Sequence, residues 1–125
     1  MSKFKCQGFG STFKNARKGM RLALKAEDCI KVHFFAALLA IVLGIALNFS
    51  AIKLCVLLLT IGLVIITEML NSAIEFSLDA VFKNKYSQMV GMAKDISAGA
   101  VLVATLIAVS IGIIMFVPAL ICLFR

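Results

Sequence analysis

Apolar residues gather into three runs along this chain, the first two separated by a short link and the last two by a longer stretch that carries charges. The first runs from about Phe34 to Leu47, and Val32, His33, Asn48 and Phe49 extend it. The second, about Ile52 to Ile66, is interrupted only by Lys53 and continues as helix past Thr67. The long stem of such a lysine can snorkel to an interface. The third runs from Ile96 to Phe124 without a charge. A membrane span takes about 20 residues, so three transmembrane helices are expected. The link at Asn48–Ser50 is short, which makes the first two an antiparallel hairpin. Ahead of them, about Phe13 to Ile30, the pattern changes. Phe13, Ala16, Met20, Ala23, Leu24 and Ile30 fall on one side of a helical wheel, and Lys14, Arg17, Lys18, Arg21 and Lys25 on the other. A basic amphipathic helix beside a membrane lies in the interface plane. The expected architecture is one all-α integral-membrane domain. It has an interfacial helix over about residues 9–31 and span-bearing helices over about 32–49, 51–82 and 94–124.

Composition supports the membrane class. Of 125 residues, 62% are apolar and only 15% charged, more apolar surface than a soluble domain of this length can hide. The net charge of +7 raises the question of a nucleic-acid partner. The interfacial helix accounts for that charge, and no groove-reading motif is present, so none is expected. Cys6, Cys29, Cys55 and Cys122 are scattered without a CxxC pair and read as buried, reduced thiols. No apolar core or small-residue cleavage site stands near the start, so no removable signal peptide is expected.

Charge sets an orientation. Lys3, Lys5, Lys14, Arg17, Lys18, Arg21, Lys25 and Lys31 precede the first span; Lys83, Lys85 and Lys94 follow the second; the first loop offers only Lys53. The positive-inside rule then places the N-terminus and second loop in the cytoplasm, with the first loop and Arg125 outside. All six carboxylates fall on the cytoplasmic side or near that interface. Small residues recur every fourth position, as Ala36, Ala40 and Gly44, and as Ala100, Ala104, Ala108 and Gly112. Such stripes let helices approach closely. Three spans make a thin bundle, so a homo-oligomer is expected. Pro118 should kink or end the third span.

Three of the acids share one helix face. From Glu68, Asn71 is three residues on, Glu75 seven and Asp79 eleven, and on a helical wheel they fall within roughly 80°. Aligned acids repel one another, a cost that a cation among them offsets. Mg²⁺ takes hard oxygen ligands and keeps several waters. Acids at a membrane boundary are functional by default. Of the two acids before span one, Asp28 falls with the lysines, while Glu27 falls near the Met20–Leu24 apolar face and needs a partner, a proton or a metal. Mg²⁺ beside a basic interface suggests phosphate chemistry. There is no GxxxxGK[ST] loop, and Gly8-Phe9-Gly10 is only a fragment of a glycine-rich one. If ATP binds, carboxylates acting through Mg²⁺ and nearby lysines must hold it.

These residues carry a resemblance. "EMLNSAIEFSLDAV" followed by "AKDISAGAVLV" resembles the prokaryotic diacylglycerol kinase and undecaprenol kinase family. The family pattern Glu-x-x-Asn-x-Ala-Ile-Glu-x-x-x-Asp, then Ala-Lys-Asp, is matched by Glu68, Asn71, Ala73, Ile74, Glu75, Asp79, Ala93, Lys94 and Asp95. The likeness covers nearly the whole chain. It implies a small lipid kinase of the bacterial inner (plasma) membrane, a trimer whose active sites are shared between neighbouring subunits. It also implies ATP as co-substrate and Mg²⁺ as cofactor. By resemblance Glu68 is the catalytic base, Glu27 and Glu75 are the Mg²⁺–ATP carboxylates, and Asn71, Asp79, Lys94 and Asp95 are polar residues of the nucleotide site.

The chain departs from that pattern in places. Asn15 stands where relatives often have Tyr, and Lys85-Tyr86-Ser87 where they often read Glu-Tyr-His. "EDCIKVH", with His33, and the "AGAVLV" run look more like the undecaprenol branch. His33 itself reads as an interface residue satisfied by water or a headgroup. The leading expectation is phosphorylation of undecaprenol, with diacylglycerol as the alternative lipid. An ion-coupled membrane protein using Glu68 and Glu75 is the reading from another class, but its acids should connect two aqueous sides, and these lie on one. A membrane-bending peptide would leave the ordered acid face idle.

Overall fold

The structure is a computed structural model that describes residues 8–125. Lys3, Lys5 and Cys6 lie outside that range. Four helices follow one another: α1 (Phe9–Ala26), α2 (Asp28–Ala46), α3 (Ala51–Phe82) and α4 (Gln88–Leu123). The last three are each long and apolar enough to cross a membrane. The all-α architecture and the three spans are therefore as the hydrophobic pattern predicts.

The turns explain how the helices are punctuated. At the end of α2, Asn48 takes a left-handed conformation with φ 57°. The Asn48 N–H donates to the Ile45 carbonyl and the Phe49 N–H to the Gly44 carbonyl, both at 3.0 Å. This is the Schellman pattern, with asparagine in the place usually taken by glycine. It folds Phe49 back onto Gly44, where a Cβ would stand 3.1 Å from the Phe49 ring. Ser50 then caps α3 by accepting from the Lys53 N–H at 3.3 Å. At the far end of α3, Lys83 and Asn84 are both left-handed. Ser87 caps α4 by accepting from the Val90 N–H at 3.2 Å.

Three boundaries differ from expectation. The interfacial helix does not run to residue 31. Glu27 is extended, with φ −126° and ψ 113°, and α2 starts at Asp28. The apolar periodicity continues across this break, which is why the sequence hides it. Ile30 accordingly belongs to α2, where it is fully buried. The wheel that placed Glu27 on the apolar face of a continuous helix therefore does not hold. α4 begins at Gln88 rather than residue 94, because Ser87 supplies a cap that reads like loop. Pro118 lies inside α4 and does not end it.

α3 is the central element, packed most extensively on α4 and then on α2, while α1 rests on α2. Core contacts concentrate where α2 turns into α3. Phe49, Leu57 and Met115 are buried together there, and the Phe49 and Phe116 rings lie 5.0 Å apart. Of the small-residue stripes, Gly44 and Ala104 pack as expected, while Ala36 and Ala100 remain exposed. Cys29, Cys55 and Cys122 are free but exposed, not buried. A bundle of three spans has too thin an interior to hide them, and the outward faces of the spans are largely apolar, as suits contact with hydrocarbon or another subunit.

Candidate active site

The antiparallel order α2–α3–α4 brings the N-terminal ends of α2 and α4 beside the C-terminal end of α3. Every described carboxylate belongs to this end. On α3 the expected face is present as a ladder. Glu68 is buried at 8% exposure, Asn71, Glu75 and Asp79 are half-buried, and from Glu68 to Asp79 the rise is about 16 Å.

Two rungs are tied to α4. The Lys94 ammonium donates to Asp79 Oδ1 at 2.7 Å, and it also feels the Glu75 carboxylate. Asp79 sits in the last turn of α3, and its carbonyl accepts from the N–H groups of Lys83 and Asn84. A carboxylate is unfavourable at that negative end of the helix dipole, and the lysine offsets it. One turn lower, Ser97 Oγ lies 2.6 Å from Asn71 Oδ1 and 2.9 Å from the Lys94 carbonyl. One hydroxyl proton cannot serve both acceptors. With the Asn71 amide turned so that its NH₂ donates to Ser97 Oγ, the serine donates to the Lys94 carbonyl and all three groups are satisfied. Ser97 is buried and was not among the expected site residues. It lies three residues after Lys94, on the same face of α4.

The remaining rungs are untied. Among the described residues no hydrogen bond or ion pair engages the carboxylates of Glu68 or Glu75. Glu27 is half-buried at the α1–α2 junction and makes no side-chain cap on α2. Asp95 is exposed. Asp28, also exposed, pairs with Lys31 at 2.8 Å. In the second loop Tyr86 is largely exposed, yet its ring covers Gly91, where a Cβ would stand 3.1 Å from the tyrosine oxygen.

Along the helices from Glu68, an open apolar groove of about 280 Å³ runs between α2 and α4 with α3 as its floor. His33, Val64 and Ile65 line the end nearer Glu68, and Ala108, Gly112 and Phe116 the other. Val64 is one turn from Glu68 on the same face of α3. Thr60 and Thr105 donate to the carbonyls of Val56 and Val101 on their own helices, at 2.7 and 2.8 Å. Their hydroxyls are thereby satisfied locally and leave the groove apolar.

Fold and site together define a polytopic helical membrane protein with an acid ladder at one end of its bundle. Residues 14–116 match the family model described as prokaryotic diacylglycerol kinase. The chain is 35% identical over 112 residues to the diacylglycerol kinase of Synechocystis sp., covering 90% of this chain and 64% of that protein. It is 32% identical over 112 residues to the undecaprenol kinase of Bacillus subtilis, covering 90% of each. With the diacylglycerol kinase of Escherichia coli it shares 39% identity over 92 residues, 74% of this chain and 75% of the relative. The chain belongs to the prokaryotic diacylglycerol kinase family, a family of membrane lipid kinases.

Proposed function

We propose that this chain transfers the terminal phosphoryl group of ATP to the hydroxyl of a membrane lipid, with undecaprenol as substrate. The observation that carries the reading is Glu68: a buried, unbonded carboxylate one turn beyond an apolar groove. A lipid alcohol whose tail lies along that groove would bring its hydroxyl to the height of Glu68. There the carboxylate accepts the proton as the oxygen attacks phosphorus. Glu75, about two turns further out, and Glu27 face the nucleotide. Asn71 is held in place by Ser97. Lys94, steadied by Asp79, supplies positive charge beside the phosphates, and Asp95 completes the polar rim. Positioning and electrostatics account for most of the rate in such a transfer.

The donors suit Mg²⁺. Glu27 and Glu75 are hard oxygen ligands, and the described residues gather no group of three or more acids, histidines or cysteines that would form a closed cage. Mg²⁺ is commonly held by one or two carboxylates, with waters and substrate phosphates filling the other positions. When bound, it neutralises charge on the phosphates. The exposed apolar faces of α2 and α4 support a homotrimer with sites shared between subunits. The basic α1 and the second loop support a cytoplasmic site in a bacterial inner membrane.

Undecaprenol is preferred because the Glu27–His33 stretch and the "AGAVLV" run are similar to the undecaprenol branch. Diacylglycerol, with two tails, is the second reading, and both lipids appear in the names of the relatives. The test gives the purified protein labelled ATP with each lipid in turn. Label on undecaprenol alone supports the assignment, and label on diacylglycerol alone replaces the lipid. Label on neither lipid overturns the kinase reading.

A further inference from the structure

Helix α1 is the part of the molecule least explained by the site. It carries five basic residues and no acid, and none of its residues is buried. Lys14, Arg17, Lys18, Arg21 and Lys25 form a continuous stripe about 16 Å long and about 100° wide. No ion pair among the described residues engages them. The stripe does not lie opposite the apolar face but borders it along one flank. Phe9 and Phe13 of that face are exposed at 89% and 65%. A helix lying on a bilayer with its aromatic face in the acyl boundary would hold this whole flank at headgroup depth. The charge there complements anionic headgroups, which attract basic segments within a Debye length.

The attachment of α1 gives such docking a consequence. One extended residue, Glu27, joins it to α2, and only Ala23, Leu24 and Glu27 near its end are half-buried. The direction of α1 and the position of the Glu27 carboxylate are therefore fixed by the same backbone torsions. We propose that the basic flank of α1 docks on the anionic phospholipid headgroups of the leaflet, and that this docking sets the position of Glu27. The second half rests on the assignment of Glu27 to the Mg²⁺–ATP site; the first half does not.

The test has two arms. The chain contains no tryptophan, so Phe13→Trp introduces a single reporter of helix depth. It is placed in vesicles of phosphatidylcholine alone and with one third phosphatidylglycerol. The expected result is a blue-shifted emission and stronger quenching by brominated acyl chains in the anionic vesicles, reversed by 0.5 M salt (about a 4 Å Debye length). The same reporter with Lys14→Gln, Lys18→Gln, Arg21→Gln and Lys25→Gln should lose the difference between vesicles. Equal emission in both vesicle types, or an undiminished response in the neutralised variant, overturns docking whatever the protein's activity. In the second arm the KM for Mg²⁺–ATP is measured in both vesicle types at fixed lipid-substrate fraction. It should fall several-fold in anionic vesicles for the native protein and remain flat for the neutralised variant. A KM raised equally in both vesicle types by neutralisation would mean that the flank attracts ATP rather than headgroups, and would overturn the proposal. Failure of the kinase assay in every vesicle would overturn the functional assignment while leaving the fluorescence result standing.

Discussion

At one end of the α3–α4 pair, Phe49 folds under Gly44, its ring meets Phe116 at 5.0 Å, and the Lys53 ammonium lies 5.4 Å above it. At the other end, no hydrogen bond or ion pair among the described residues engages the carboxylates of Glu68 and Glu75, and Asp79 and Lys94 remain more than a third exposed. The first end is closed by the chain's own side chains and by a turn whose hydrogen bonds are complete. The second ties Asp79 to Lys94 and Asn71 to Ser97 and leaves the carboxylates of Glu68 and Glu75 without a hydrogen bond or ion pair. Under the proposed function, the contrast separates what keeps the helices together from what would act on a substrate. Charged groups aligned without partners are unfavourable, and the packed end supplies the rigidity against which they are held.

Mutations at the two ends should therefore differ in kind. The largest effect is expected from Glu68→Gln, which should abolish phosphoryl transfer, lowering kcat by a factor of about 10²–10⁴ with helical content unchanged. Turnover at the native rate would remove Glu68 from the chemistry. Gly44→Val should do the opposite. A branched side chain meets the Phe49 ring, so unfolding in detergent should become easier by about 1–3 kcal/mol, while the folded fraction keeps its KM. Glu75→Gln and Glu27→Gln should each raise the Mg²⁺ and ATP requirement by about tenfold, near 1.4 kcal/mol, and unchanged Mg²⁺ titrations in both would exclude metal ligation. The smallest stability change is expected from Asp79→Asn, because an ion pair this exposed is screened by solvent and contributes little. A thermal shift of many degrees would show instead that the open end also carries the fold.

Much of the packed end and of the ladder was legible in the sequence. The limits of α3 follow from an apolar run that continues into a polar face at the same periodicity, and the acid face was visible on the wheel. The break at Glu27 was not legible, because neither glycine nor proline marks it and Ile30 keeps the helical phase on both sides. The Asn48–Ser50 link was legible as a hairpin, but its left-handed Asn48 was not, because asparagine tolerates that region without announcing it. Ser97 escaped because one serine in an apolar helix is usually satisfied by its own backbone, as Ser110 is by the Leu106 carbonyl. Its cross-helix role depends on the register of α3 against α4, which no local pattern encodes.

The length of α3 has its own consequence. A helix of 32 residues measures about 48 Å, against a hydrocarbon layer of about 30 Å. Anchored at its far end by the Phe49 clasp, it acts as a ruler that fixes the altitude at which each acid stands. Adding four residues below Glu68 would raise that carboxylate by about 6 Å while turning it only modestly about the axis. A lipid alcohol cannot follow it upward without dragging its tail into water. If the proposed site is the active site, the bilayer's thickness is one of its dimensions, and membranes of different acyl length should tune the enzyme as directly as a mutation does.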